Sequence, residues 1–311
     1  MAEETPSNVP PVNEARLPGM DHAHYPVRHL PDAPRFVWPD NARIALTVTV
    51  VLDHWELVPP TGADAPDPRI VSPLGKFHPD WLTWSHRQYG ARVGIFRILE
   101  VLDRFGLTPS VALGAAAAAR YPELVDECLR RGACFLAHGT HASRRITARM
   151  SEAEERDFIA TSQAAIADAT GSTPQGWLGQ DFNESARTPA LLAEAGFAYT
   201  LDWAADDRPF LLGPYGRRHL LALPPQPEWN DLECMALRHV TPPVWRDGII
   251  EAFTVLHEEG GGVCNLTLHP FVAGQAHRIR YLHDALSHIL GKGRIWHATT
   301  DDVARAALVQ S

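Results

Sequence analysis

The sequence has only four cysteines, and they are scattered: Cys128, Cys134, Cys234 and Cys264 form no CxxC pair. That speaks against a disulfide framework and fits a reduced, cytoplasmic setting with the thiols as small core residues. No apolar run is long enough to span a bilayer. The opening MAEETPSNVPPVNEARL lacks the apolar segment of a signal peptide. Phosphate loops, Rossmann glycine patterns and GxSxG elbows are also missing. The glycine run at 260–262 precedes a strand rather than a helix, so it makes no phosphate cradle. A formal net charge of −9 argues against nucleic acid or an anionic membrane as partner. The composition is that of a soluble globular protein, and no organic cofactor is expected.

The 311 residues suffice for one large α/β domain or two ordinary ones. Residues 1–40 are rich in proline and polar residues and read as an extended arm, lying against the domain or against a neighbouring subunit of a homo-oligomer. From residue 41 to 311 the pattern alternates. Residues 44–52 form an apolar, β-branched run broken only by Thr47 and Thr49, which suits a buried parallel strand. The stretch 57–87 reads as a long loop, because its prolines exclude a continuous element. Phe77, Trp81, Trp84 and His86 gather near its end, as a lid or as its own packing.

Helical patterns follow at 91–105, closed by Gly106, and at 121–131, closed by Gly132. Ser151 and Glu154 have capping-box spacing and open a helix to about residue 170. Further helices are expected at 188–195, 246–259 and 279–290. Strands are expected at 109–113, 133–137, 176–179, 197–201, 219–223, 263–268 and 294–297. Such alternation predicts a parallel sheet with crossover helices. At this length it points to a single distorted (β/α) barrel of about seven to eight strands. Catalytic groups in such barrels sit at the C-terminal ends of the strands. Asp53, His138, Asp202 and His269 all fall there.

Asp53 is a candidate general base or metal ligand, since a carboxylate at a buried strand end needs a partner. His138, between an apolar strand and Gly139, and His269, inside Leu268-His-Pro270, are the other catalytic candidates. For a divalent metal such as zinc, the candidate ligands are Asp53, His54, His138 and His141. An adjacent strand residue such as His54 points to the opposite face, and His141 completes an HxxH spacing only if its loop turns helically. Glu56, Trp84, Trp177, Gln180 and Asp202 are candidate substrate contacts. Asp202 alternatively holds a histidine or arginine in place, and a tryptophan at the spacing of Trp177 is more often core. Arg278 is a further candidate for a substrate carboxylate, against a surface helix position.

In order, Leu52-Asp53-His54, Ala137-His138-Gly139, Gly176-Trp-Leu-Gly179, Asp202 with Ala205-Asp-Asp207, and Leu268-His-Pro270 resemble the polysaccharide deacetylase superfamily. The match is closer to its small-molecule branch of allantoinases and cyclic imide hydrolases, which the stretch from Glu194 to Pro209 and the ending at 295–299 are also similar to. The resemblance implies a distorted (β/α) barrel that hydrolyses a C–N amide bond. In the sugar deacetylases of that superfamily two adjacent aspartates close the first strand. The resemblance then implies Asp53 as the base, His54 in place of the second aspartate, and His138 as the first ligand histidine. The second ligand position is Ala142 here, with His141 one residue early. Three activities follow as expectations: ring opening of a small cyclic imide, ureide or related amide; metal-dependent de-N-acetylation of an amino sugar or peptidoglycan; and ligand binding without catalysis.

Overall fold

β1, Ile44–Leu52, is buried along its whole length, as its near-continuous apolar sequence requires of a strand covered on both faces. The computed structural model describes residues 22–60 and 78–311. The first half of the expected arm, residues 1–21, and residues 61–77 of the proline-rich loop, with Phe77, lie outside the described residues.

Eight further strands follow among the described residues: β2 (Ser110–Leu113), β3 (Cys134–Ala137), β4 (Gly176–Trp177), β5 (Tyr199–Thr200), β6 (Phe210–Tyr215), β7 (Arg218–Ala222), β8 (Gly262–Leu268) and β9 (Ile295–His297). They form one sheet in the order β6-β7-β5-β4-β3-β2-β1-β8. The β6–β7 pair is antiparallel, and every other pairing is parallel. β2 pairs with the end of β1 and β9 with its beginning. The result is a curled, open version of the expected (β/α) barrel.

The curl is visible in the packing. Ile44, Leu46, Val48, Val50 and Leu52 join the core beneath the helices, while Ala45 and Val51 join a second core with Ala112, Leu136, Tyr199, Leu221 and Val263. Alternate residues of one strand thus feed opposite layers. Thr47 and Thr49, the polar exceptions in β1, face the same way as Ala45 and Val51. Their hydroxyls donate to Asn265 Oδ1 of β8, at 3.0 and 2.9 Å.

The outer layer holds α1 (Trp81–Tyr89), α2 (Ile95–Phe105), α3 (Ala115–Arg120), α4 (Pro122–Leu129), α5 (Glu152–Thr170), α6 (Thr188–Ala195), α7 (Pro242–Glu259), α8 (Ile279–Gly291) and α9 (Thr300–Leu308). The capping box at Ser151 and Glu154 is formed, and Gly106 closes α2 at a φ of 64°. Four elements depart from the expectation, helix α3 over Ala115–Arg120 among them. Helix α1 occupies the end of the stretch read as loop, started by Asp80, whose carboxylate accepts the Thr83 N–H at 3.0 Å. Strand β6 and helix α9 were also not anticipated.

A π-helical turn, Gly90–Gly94, joins α1 to α2. It lies backbone to backbone on the loop after β8. A Cβ on Gly94 would sit 2.0 Å from the Pro270 carbonyl oxygen, and one on Gly274 would sit 2.4 Å from Gly94 Cα. Only glycine permits that approach, and it brings α1 down over the segment that carries His269. The described part of the arm also packs on the barrel, with Trp38 Nε1 donating to the Gly262 carbonyl at 2.9 Å. No helix among the described residues is long and apolar enough to cross a membrane.

Candidate active site

Strand alternation aims the polar ends. Asp53 continues the inward series of Thr47, Thr49 and Val51, and His138 continues that of Leu136. His269 continues that of Val263, Asn265 and Thr267. These three line one cavity of about 250 Å³.

Asp53 and His138 meet directly, with Oδ2 3.2 Å from Nε2. Asp53 fits there because Gly114, opposite it, has no side chain: a Cβ would stand 2.7 Å from Asp53 Oδ1. His138 Nδ1 lies 2.6 Å from the Leu178 carbonyl. A carbonyl only accepts, so Nδ1 carries a hydrogen. Nε2 then faces a carboxylate, and two acceptors would repel unless a proton lies between them. Burial opposes a charged ring, but the Asp53 charge and hydrogen bond, the Leu178 carbonyl and the Asp202 charge together raise the His138 pKa above its ordinary value. A proton therefore lies between His138 Nε2 and Asp53 Oδ2.

Gln180 completes this group. Its Nε2 donates to Asp53 Oδ1 at 2.9 Å and to the His138 carbonyl at 2.7 Å. Both amide hydrogens are thereby engaged, so Gln180 braces Asp53, although it also lines the cavity.

His269 has a different partner. Its Nδ1 donates to Asp231 Oδ1 at 2.7 Å. Asp231 is 0% exposed, and its oxygens also accept the backbone N–H of His269 and of Ala273. The carboxylate fixes the ring tautomer, and Nε2 makes no hydrogen bond among the described residues. Asp231 escaped the sequence reading because it sits in the irregular stretch before Leu232–Leu237, with no strand end to mark it.

The geometry moves six expected groups off the cavity. His54, of the opposite strand parity, binds Tyr121 Oη through Nδ1 at 2.8 Å. Glu56 is held by Ser143 Oγ at 2.5 Å and Arg144 Nη2 at 2.7 Å. His141 faces Glu56, 3.9 Å away, rather than Asp53. Trp177 is 0% exposed and packs between Phe158 and Phe197. Trp84 donates to the Trp55 carbonyl at 3.0 Å, bracing a residue that does line the cavity. Asp202 stands behind Gly179, accepting its N–H at 2.8 Å. Burial pushes the carboxyls of both Asp202 and the neighbouring Glu184 upward. Arg278 is not among the cavity-lining groups either.

The expected zinc site fails a test of donors. Catalytic zinc takes three protein ligands. Only Asp53 and His138 of the expected four face each other, and the third side of Asp53 is occupied by the N–H₂ of Gln180. No three His, Cys, Asp or Glu side chains gather as a metal-holding group among the described residues.

No protein-family model matches the chain. A curated relative from Schizosaccharomyces pombe, described as a "putative polysaccharide deacetylase", is 25% identical over 239 residues, 70% of this chain and 74% of that one. A crystal structure of the same description from Mycobacterium smegmatis superposes with a TM-score of 0.76 at 25% identity, covering 89% of this chain and 94% of its own. The structure of the PuuE allantoinase gives a TM-score of 0.77 at 23% identity, with the same coverage. The chain thus has the polysaccharide-deacetylase fold, which it shares with the allantoinase structure, and its resemblance to the polysaccharide deacetylases is shown by sequence and structure alike.

Proposed function

We propose that the protein hydrolyses a C–N bond in a small cyclic imide, ureide or related amide. The observation that carries this reading is the His269–Asp231 pair, whose unoccupied Nε2 lies on the same cavity as the Asp53–His138 pair. A histidine oriented by a buried carboxylate is a proton shuttle suited to neutral pH. A cavity of about 250 Å³ suits a small ring better than a polymer chain.

The roles follow from proton occupancy. His138 Nε2 and Gln180 Nε2 already occupy the two oxygens of Asp53, so taking the water proton falls to another group. Asp53 instead anchors the attacking water by hydrogen bond. His269 takes the water proton through Nε2 as the oxygen adds to the carbonyl carbon, and Asp231 stabilises the resulting imidazolium. The tetrahedral adduct then collapses, the C–N bond breaks, and His269 returns the proton to the leaving nitrogen. No step passes through a metal. The likeness to a named allantoinase supports the substrate class.

The experiment is loss of ring absorbance for succinimide, hydantoin and allantoin with purified protein. Opening of any ring sustains the proposal. No opening, with acetate released from N-acetylated amino sugars, transfers it to the de-N-acetylase reading.

A further inference from the structure

Arg87, near the end of α1, is 7% exposed and lines the same cavity. Its Nε and Nη2 have no hydrogen-bond partner among the described residues. Buried donors are almost always satisfied, and an unpaired guanidinium edge is costly to desolvate. Nothing else among the described residues uses these two nitrogens.

They are the two nitrogens of one guanidinium edge, whose parallel N–H bonds match the two oxygens of a carboxylate. The Trp55 ring covers a face of the same guanidinium, 3.3 Å from its carbon, so the plane is held while the edge is left open for pairing. Burial lowers the Arg87 pKa to about 10, which still leaves the group charged at neutral pH.

The nearby acids do not neutralise it. Asp181 forms an ion pair with Arg145, Asp80 caps α1, and Asp53 is held by His138 and Gln180. Arg145 also lines the cavity, and its Nε is likewise buried without a partner among the described residues. Two arginines therefore stand at this part of the cavity with the lining acids Asp181 and Asp53, and Asp53 is already engaged by His138 and Gln180.

We propose that Arg87, supported by Arg145, is an anion subsite, and that the substrate carries a carboxylate in addition to the amide that is cleaved. This deepens the ring-opening reading and rests on it for the identity of the amide. The ligand class is a small amide or cyclic ureide with an acidic arm. A planar carboxylate suits the flat edge of Arg87 and the small cavity.

The test pairs two probes on one ring, hydantoin-5-acetate and hydantoin-5-acetamide, with wild type, R87Q and R87K. A charged hydrogen-bond pair predicts about 10- to 100-fold preference for the acid in kcat/KM. R87Q brings the ratio near one whatever its absolute rate, and R87K restores part of it. If neither ring opens, calorimetric binding of the acid against the amide decides the matter, and only the ring-opening reading falls. Equal use or binding of the two probes overturns the anion subsite. So does a preference that survives R87Q, or no binding of the acid at all. Circular dichroism of each variant separates a lost site from a lost fold.

Discussion

Asp231 Oδ1 lies 2.7 Å from His269 Nδ1, while the same carboxylate accepts the backbone N–H of His269 and of Ala273. These amides need an oxygen, so in Asp231→Asn the side-chain oxygen stays with them and the new N–H₂ turns to the imidazole. The ring must then accept at Nδ1 and carry its hydrogen on Nε2, the wrong tautomer for taking a proton. The expected result is a kcat lower by about 10²- to 10⁴-fold with KM nearly unchanged. His269→Ala should be no more active than Asp231→Asn. A variant at either position with full kcat would remove His269 from the chemistry.

His138 gives the protein a pH-dependent contribution to stability. Its pKa is raised above 6.5 in the folded state. The folded state therefore binds the proton more tightly than the unfolded one. That stabilisation is fully present below the unfolded value and fades as pH rises through the folded value. Thermal melts between pH 6 and 9 should show the difference in Tm between wild type and Asp53→Asn shrinking as pH increases. Comparison with the variant is needed because His54 and His297, with pKa values lowered by burial, change stability in the opposite direction. A constant difference across the range would contradict an Asp53–His138 ion pair.

Metal removal should not change turnover. With Asp53 and His138 closed on each other and on Gln180, dialysis against a strong chelator is expected to leave kcat and KM as they were. Elemental analysis should show well under one zinc per active chain. Loss of activity with the chelator, restored by added zinc, would require His138 and Asp53 to separate around an ion.

Gly114 is the position to test how finely Asp53 is placed. A methyl group there would stand 2.7 Å from Asp53 Oδ1, too close for the carboxylate to keep its place. Gly114→Ala is expected to cost about 1–3 kcal/mol of stability, as overpacking does, and to lower kcat through Asp53 while the far-ultraviolet circular dichroism spectrum is kept. Unchanged kcat and Tm would mean that the carboxylate has room to move without consequence.

Much of this arrangement is legible in the residues. β1, β3 and β8 announce themselves as apolar runs that end abruptly in Asp53, His138 and His269, because burial and chemistry adjoin at a strand's end. The two-residue period even predicts that His54 faces away, and it does, toward Tyr121. What stays hidden is whatever depends on long-range approach. Asp231 is 38 positions from His269 in a stretch with no period. Arg87 lies among aromatics that draw attention as packing, and its importance shows only in what its guanidinium lacks. Glu56 reads as a site acid until Arg144 and Ser143 are seen to hold it. Strand β6 was missed because it is an edge strand with mixed burial, which carries no clear apolar pattern.

The opposite facing of Asp53 and His54 also bears on how relatives of this chain diverge. Removing one residue from β1 would rotate the strand's end by one pleat, presenting His54 to the cavity and turning Asp53 toward the helices. The strand's length is thus a chemical variable, in the way a side chain usually is. A deletion within β1 should silence the protein more completely than Asp53→Ala does, since it removes the carboxylate and inserts a ring in one step. Aligned chains that differ here by a single gap would carry different chemistry under nearly the same letters.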